Sequence, residues 1–298
     1  MVIVVLIGCK GSCCFITVCV DVEYVLLEFL TFELLISFIV FGCCAGCLAG
    51  LLGIGGGVVL VPLFIWRFQL AGFDPQYIVH CAFATSLAII IPTAVSNTIG
   101  HHRQGNVKRN HVIYLAIGAV IGACVGSFCA SILTGPILSL VFGFMQIAVA
   151  VKLLTGASKP SGETMLEKGS MLLFVGFVGG AFSSFFGVGG GVIAVPLMVI
   201  LLHLPIHLAV GNSTALIVMS SLVGTCAYIF MGWQLKLIQD GFFGFVYFPA
   251  VVMVVPFSLL GARIGVRLTQ HCSHAKMIKV FSLLLICVGV KMIWYSFA

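Results

Sequence analysis

Two glycine clusters carry the chemistry this sequence can support. Gly53-Ile54-Gly55-Gly56-Gly57 runs into Val58-Val59-Leu60-Val61-Pro62-Leu63, and Gly187-Val188-Gly189-Gly190-Gly191 runs into Val192-Ile193-Ala194-Val195-Pro196-Leu197. The second copy follows the first by 134 residues, with every glycine and the proline in step. Glycine costs ~1 kcal/mol in a helix interior and proline ~3, so neither stretch makes an unbroken helix. In a bilayer such a break is tolerated only where the freed backbone groups meet protein, water or a ligand. Any single glycine reads equally well as a close helix contact. A five-position break duplicated in both halves of a membrane chain points instead to the substrate site of a repeat-built transporter. Gly55, Gly56 and Gly57, with Gly189, Gly190 and Gly191, precede apolar segments, so their amides would converge where a helix begins. A helix N-terminus carries about half a positive charge and unpaired donors, which suits an oxyanion.

The rest of the polar inventory agrees with that sign. The eight carboxylates are Asp21, Glu23, Glu28, Glu33, Asp74, Glu163, Glu167 and Asp240, and each falls in the N-terminal segment, a loop or a helix end. Cation pathways and proton relays usually need an intramembrane carboxylate, so an anionic substrate is favoured. Thr85 and Ser86 in one half, opposite Asn212, Ser213 and Thr214 in the other, could hydrogen-bond substrate oxygens. They serve equally well as interhelical hydrogen bonds. Asn97, Gln146, Ser220 and Ser221 are weaker versions of the same idea. Arg67 and Arg263 could lend positive charge to an anion, although snorkelling to an interface is the commoner use of such residues. His80 and His207 start equivalent segments and could titrate with pH; interfacial histidines are the blander reading.

These residues must be held by a membrane-embedded scaffold. The chain has 298 residues, is 61% hydrophobic and only 7% charged, with a mean hydropathy of +1.27. Soluble domains carry about 25% charged residues, so the chain is an all-α polytopic membrane protein. Residues 1–32 form an apolar and acidic N-terminal extension that could add a membrane helix. Residues 33–156 form a first transmembrane repeat, 157–169 a linker, and 170–298 a second repeat. Five apolar segments are expected per half, at 34–52, 57–72, 78–100, 111–133 and 136–155, then 170–186, 189–203, 207–232, 242–266 and 277–297. The first two of each half are short and could span or re-enter. Gly42, Gly46 and Gly50, like Gly118, Gly122 and Gly126, have the small-xxx-small spacing of helix seams. Ten of the fourteen basic residues fall in three loops: after the third segment, in the linker, and after the ninth segment. With an odd number of crossings per half, these loops share one face. The positive-inside rule makes that face cytoplasmic and leaves the C-terminus outside. The halves are then inverted.

Several other classes lack support. The net charge of +6 comes from scattered residues, with no basic run among exposed aromatics, so nucleic acid is not an expected partner. Among the thirteen cysteines, Cys44-Ala45-Gly46-Cys47 has thiol-redox spacing, yet it sits in a small-residue helix face. The bland reading is filler. The alternative is a membrane thiol–disulfide carrier using Cys43, Cys44 or Cys47 with Cys81 or Cys124. No Cys/His group has zinc spacing, so no metal is expected. The glycine stretches lack the strand–helix setting and downstream acid of a dinucleotide site, and no enzyme chemistry is indicated.

GIGGGVVLVPL and GVGGGVIAVPL, with Ala84-Thr85-Ser86-Leu87 and Gly105-Asn106-Val107, resemble the sulfite exporter TauE/SafE family, also called the toluene-sulfonate uptake permease family. The resemblance covers roughly residues 34–297. It implies a secondary transporter of sulfite, sulfoacetate or another organosulfonate in a prokaryotic-type cell membrane. It also implies a site built from Gly55–Gly57, Gly189–Gly191, Thr85-Ser86 and Ser213-Thr214. The expected partners are a small anion and the lipid bilayer, with a homodimer left open. No cofactor is expected beyond a coupling ion, proton or sodium. A passive anion channel on the same scaffold is the remaining alternative.

Overall fold

The computed structural model describes residues 32–155, 168–234, 241–268 and 274–297. The N-terminal extension and most of the linker expected from sequence lie outside the described residues. The described helices are α1 (Phe32–Leu52), α2 (Gly57–Leu70), α3 (Pro75–Arg103), α4 (Arg109–Ile132), α5 (Gly135–Thr155), α6 (Gly169–Phe186), α7 (Gly191–Leu201), α8 (Ile206–Gln234), α9 (Phe248–Leu268) and α10 (His274–Phe297). Local chemistry sets the boundaries. Asp74 Oδ1 accepts from Gln76 N at 2.9 Å, and Pro75 takes the first position of α3, where its missing N–H costs nothing. Gly187 ends α6 in the left-handed conformation, φ 68°, the usual role of glycine just past a helix.

Six described helices, α3, α4, α5, α6, α8 and α9, are long and apolar enough to cross a membrane. Helices α2 and α7 are not. At 1.5 Å per residue, their 14 and 11 residues reach only ~21 and ~17 Å, short of the ~30 Å hydrocarbon. The chain doubles back at each glycine break. A side chain at Gly56 would strike the backbone of Ala45, and one at Gly190 the backbone of Gly179. Both partners lie well back along the preceding helix.

The two halves exchange partners. Helix α1 packs on α9 and α4 on α6, α3 lies against α8, and α5 lies against α10. The small-residue spacings work as seams: Gly122 and Gly126 sit against the backbones of Phe177 and Ala181, while Gly261 and Gly265 sit against Cys43 and Cys47. Basic residues gather at one end. There Gln104 Nε2 donates to Val266 O at 3.2 Å, Gly169 packs on Tyr114, and Gly211 packs on Asn106. Helix α3 therefore ends, and α8 begins, at the same basic end.

One expected segment is corrected. Residues 242–247 do not begin a helix; Phe242–Phe243 (β1) pairs antiparallel with Val246–Tyr247 (β2), and α9 starts only at Phe248. The turn between them is Gly244-Phe245, with Gly244 at φ 62°, the sign that tight hairpin turns require. The hairpin's Phe242 and Tyr247 join Phe68 and Phe73 in an aromatic cluster. An aromatic run reads as apolar helix in sequence, whereas here its rings cap the end of the bundle opposite the basic one.

Candidate functional site

The two breaks adopt the same backbone. Gly53, Gly55 and Gly56 have φ of 65°, 96° and 73°, and Gly187, Gly189 and Gly190 have 68°, 96° and 74°. They meet at the centre of the molecule. A Cβ built on Gly55 would lie 3.2 Å from Gly189 Cα, and one on Gly189 would lie 3.3 Å from Gly55 Cα. Gly57 rests on Val188 and Gly191 on Gly53, so each break is the floor of the other. Every residue of both breaks is buried. The first helical bonds of α2 run from Val59 N and Leu60 N to Gly56 O, and those of α7 from Ile193 N and Ala194 N to Gly190 O. The amides of Gly57, Val58, Gly191 and Val192 thus precede the helical ladder, as at any helix start.

Polar residues from α3 and α8 hold these turns across the halves. Ser86 Oγ donates to Gly187 O at 2.9 Å, and Ser213 Oγ reaches Gly53 O at 2.8 Å and Val210 O at 2.7 Å. Thr85 Oγ1 accepts from Tyr247 N at 3.0 Å, and Asn212 Oδ1 accepts from Lys108 N at 3.0 Å. Thr214 Oγ1 donates to Gly211 O at 2.7 Å and accepts from Thr98 Oγ1 at 3.2 Å. The sequence pairing of Thr85-Ser86 with Ser213-Thr214 is corrected by one residue: Ser86 matches Ser213, and Thr85 matches Asn212. The packing agrees, since Ile90 touches Gly57 as Ile217 touches Gly191. A one-residue slip is hard to see in sequence because Thr85 and Ser86 are adjacent hydroxyls and either could stand opposite Ser213.

The hydroxyls expected to face a substrate therefore already have backbone partners. Others do not. Ser183, Ser221 and Thr225 are buried with hydroxyls that have no hydrogen-bond partner. Ser183 Cβ lies 2.9 Å from a Cβ built on Gly190, so this residue stands against the second break. Ser221 is one turn along α8 from Ile217, the residue that packs on Gly55, Gly189 and Gly191. The matching positions in the first half are Ala49 and Ala94. Sequence reasoning missed Ser183; the glycine repeat, extended four residues upstream of Gly187, would have exposed the serine-for-alanine difference.

Other expected residues are not brought to the breaks. Arg67 is ten residues along α2 from Gly57, about 15 Å at the helical rise. Arg263 is exposed at the basic end of α9. His80 is buried at the opposite end, with Nε2 3.2 Å from Ala130 O and its ring stacked on Phe245. His207 is exposed near the start of α8.

A helical membrane bundle whose core is two matched, interrupted helix turns is a polytopic membrane protein of the transporter class. The family model described as Sulfite exporter TauE/SafE matches residues 38–292, and the chain belongs to that family. A probable membrane transporter protein of Haemophilus influenzae is 27% identical over 261 residues, covering 88% of this chain and 98% of that protein. YunE of Bacillus subtilis, also called a probable membrane transporter, is 24% identical over 274 residues, covering 86% and 96%. A third such protein, from Methanocaldococcus jannaschii, is 24% identical over 269 residues, covering 90% and 98%. No solved structure matches the chain. The chain is a membrane transporter and not an enzyme.

The cysteines bear on the thiol-carrier alternative. Cys43 and Cys47 carry the seam contacts with Gly261 and Gly265, and the described cysteines are all free thiols. A variant with every cysteine replaced by alanine or serine is expected to keep transporting at close to the wild-type rate in reconstituted vesicles. Loss of transport with a normal melting profile would reinstate the thiol relay.

Proposed function

We propose that this transporter moves a small sulfur-containing anion, such as sulfite, sulfoacetate or another organosulfonate, across the cell membrane. The anion would be held between the two glycine breaks, closer to the second. The observation that carries this reading is the Ser183 hydroxyl, buried against Gly190 with no protein partner. Buried polar groups are hydrogen-bonded in the great majority of cases, and an unpaired hydroxyl on a residue packed against Gly190, where α7 starts, would be a donor for an oxyanion held there. Family membership supplies the sulfur chemistry.

The breaks are closed to both faces here, so substrate entry would need one set of helices to move against the other. Because α3 and its counterpart α8 are antiparallel, the same motion run in either half would open opposite faces, which is alternating access by inverted repeats. The basic end would face the cytoplasm and the C-terminus the outside. A proton-coupled cycle would use His80, His207 or the substrate itself, and a sodium-coupled one would use backbone carbonyls and hydroxyls.

Thermal stabilisation of the purified protein tests the site. Sulfite, sulfoacetate, taurine and thiosulfate would be compared with a carboxylate and chloride. One sulfur oxyanion is expected to raise the melting temperature, since at 100 times Kd a ligand adds about 2.7 kcal/mol to the folded state. Ser183→Ala should weaken that ligand roughly 10- to 100-fold, the value of a hydrogen bond to a charged group, while melting normally without ligand. A stabilising sulfur oxyanion that binds Ser183→Ala with unchanged affinity would remove the site. Stabilisation by the carboxylate alone would remove the substrate class.

A further inference from the structure

A cluster of arginines lies at the basic end of the bundle, outside the glycine breaks themselves. Between the basic ends of α3 and α9 is a groove of about 630 Å³, and three of its lining residues are Arg103, Arg263 and Arg267. Arg263 and Arg267 are one turn apart on the same face of α9, and Arg103 faces them from the last turn of α3. All three are exposed. Asp74, a carboxylate among the described residues, caps α3 at the other end of the molecule. The arginines thus form a concentrated positive site, and guanidinium groups bind phosphate oxygens in a bidentate fashion.

The surroundings say what kind of anion fits. Toward the bilayer centre, Ile99 lines the groove and is 50% exposed, and Leu260, one turn before Arg263 on α9, is 54% exposed. Toward the protein core the groove is shut. Gly100 packs so closely on Val266 that an added Cβ would lie 2.9 Å from its Cγ1, and Gln104 Nε2 donates to Val266 O across the same seam. Behind that seam His101 Nε2 lies 2.9 Å from Gly50 O. The volume is that of a pocket for a whole organic ligand, and an arginine cluster above an apolar wall matches an amphiphile.

We propose that this groove is a binding site for an anionic phospholipid. Its phosphate sits among Arg103, Arg263 and Arg267, and an acyl chain runs past Ile99 and Leu260 toward the bilayer centre. Basic pockets between membrane helices hold anionic headgroups in this way. The site stands on its own residues and does not depend on which substrate the central breaks carry.

The test uses the full chain in detergent, titrated with phosphatidylglycerol, phosphatidylcholine or inorganic phosphate, and read by melting temperature and by lipid retained in native mass spectrometry. Wild type is expected to retain and be stabilised by phosphatidylglycerol, with little response to the other two. The triple variant Arg103→Gln, Arg263→Gln, Arg267→Gln should bind phosphatidylglycerol roughly 100-fold more weakly, from about one surface-charge contribution per arginine. Its exposed positions leave its own lipid-free melting unchanged. If that variant fails to fold, Arg263→Gln alone, expected to weaken binding several-fold, gives the same reading. Equal protection by inorganic phosphate would overturn the lipid assignment, as would an unchanged phosphatidylglycerol preference in the variants.

Discussion

Replacing Gly190 by alanine is expected to abolish transport and to destabilise the protein by about 3 kcal/mol, whereas Gly72→Ala should cost only about 1 kcal/mol. The two glycines share a φ of 74°, so each substitution forces an L-residue into the left-handed region, at ~1–2 kcal/mol. They differ in what the new methyl meets. At Gly72 there is nothing within 4 Å, while at Gly190 the methyl would overlap the carbonyl of Gly179 and press on Ser183 at 2.9 Å. Overpacking of a tight core adds typically ~1–3 kcal/mol. Because Ser183 is one of the residues pressed, the shift that relieves the clash would also deform the proposed anion site. The measurement is the melting temperature of the two variants in one detergent, followed by vesicle uptake. If Gly190→Ala melts no lower than Gly72→Ala, the break is not packed as described.

Ser213→Ala is expected to cost about 1–3 kcal/mol and to impair transport strongly, because it strips the hydroxyl from a buried backbone acceptor. The Ser213 hydroxyl lies 2.8 Å from Gly53 O, the carbonyl released where α1 stops. An unsatisfied buried acceptor bears its full desolvation cost, and no water is at hand in the middle of a bilayer to replace the serine. Ser86→Ala, which removes the 2.9 Å bond to Gly187 O, should have a similar effect, since it is the same contact in the other half. Ser183→Ala is the contrast: its hydroxyl has no protein partner, so stability should hardly move while anion affinity falls. Stability and binding are therefore expected to separate across three serines of the same core. The order would be wrong if Ser183→Ala unfolded the protein and Ser213→Ala did not.

Much of the architecture was legible from residues alone. Apolar runs near 20 residues in a chain with 7% charge admit few folds besides membrane helices, and apart from the hairpin at 242–247 the helices lie within a few residues of the expected segments. The glycine–proline motif marked both breaks because positive φ values are written locally: only glycine adopts them cheaply. The small-residue spacings likewise foretold the seams, since close backbone approach needs the absence of a side chain at regular intervals.

What sequence left undecided depends on contacts between residues more than a hundred positions apart. Whether a buried serine faces a ligand or a backbone carbonyl is set by the register of α3 and α8 against the opposite break. A one-residue slip exchanges Thr85 and Ser86 as the partner of Ser213 without altering composition or periodicity. Packing chose Ser86 and Ser213 as braces and left Ser183 unpaired. It likewise separated Arg67 and Arg263 from the breaks and gathered Arg103, Arg263 and Arg267 around one groove, because a side chain's neighbours across a bundle follow from how helices pair. Residue types thus determined that this chain is a broken-helix membrane transporter. The tertiary structure alone decided which polar groups hold the breaks together and which are buried without a protein partner.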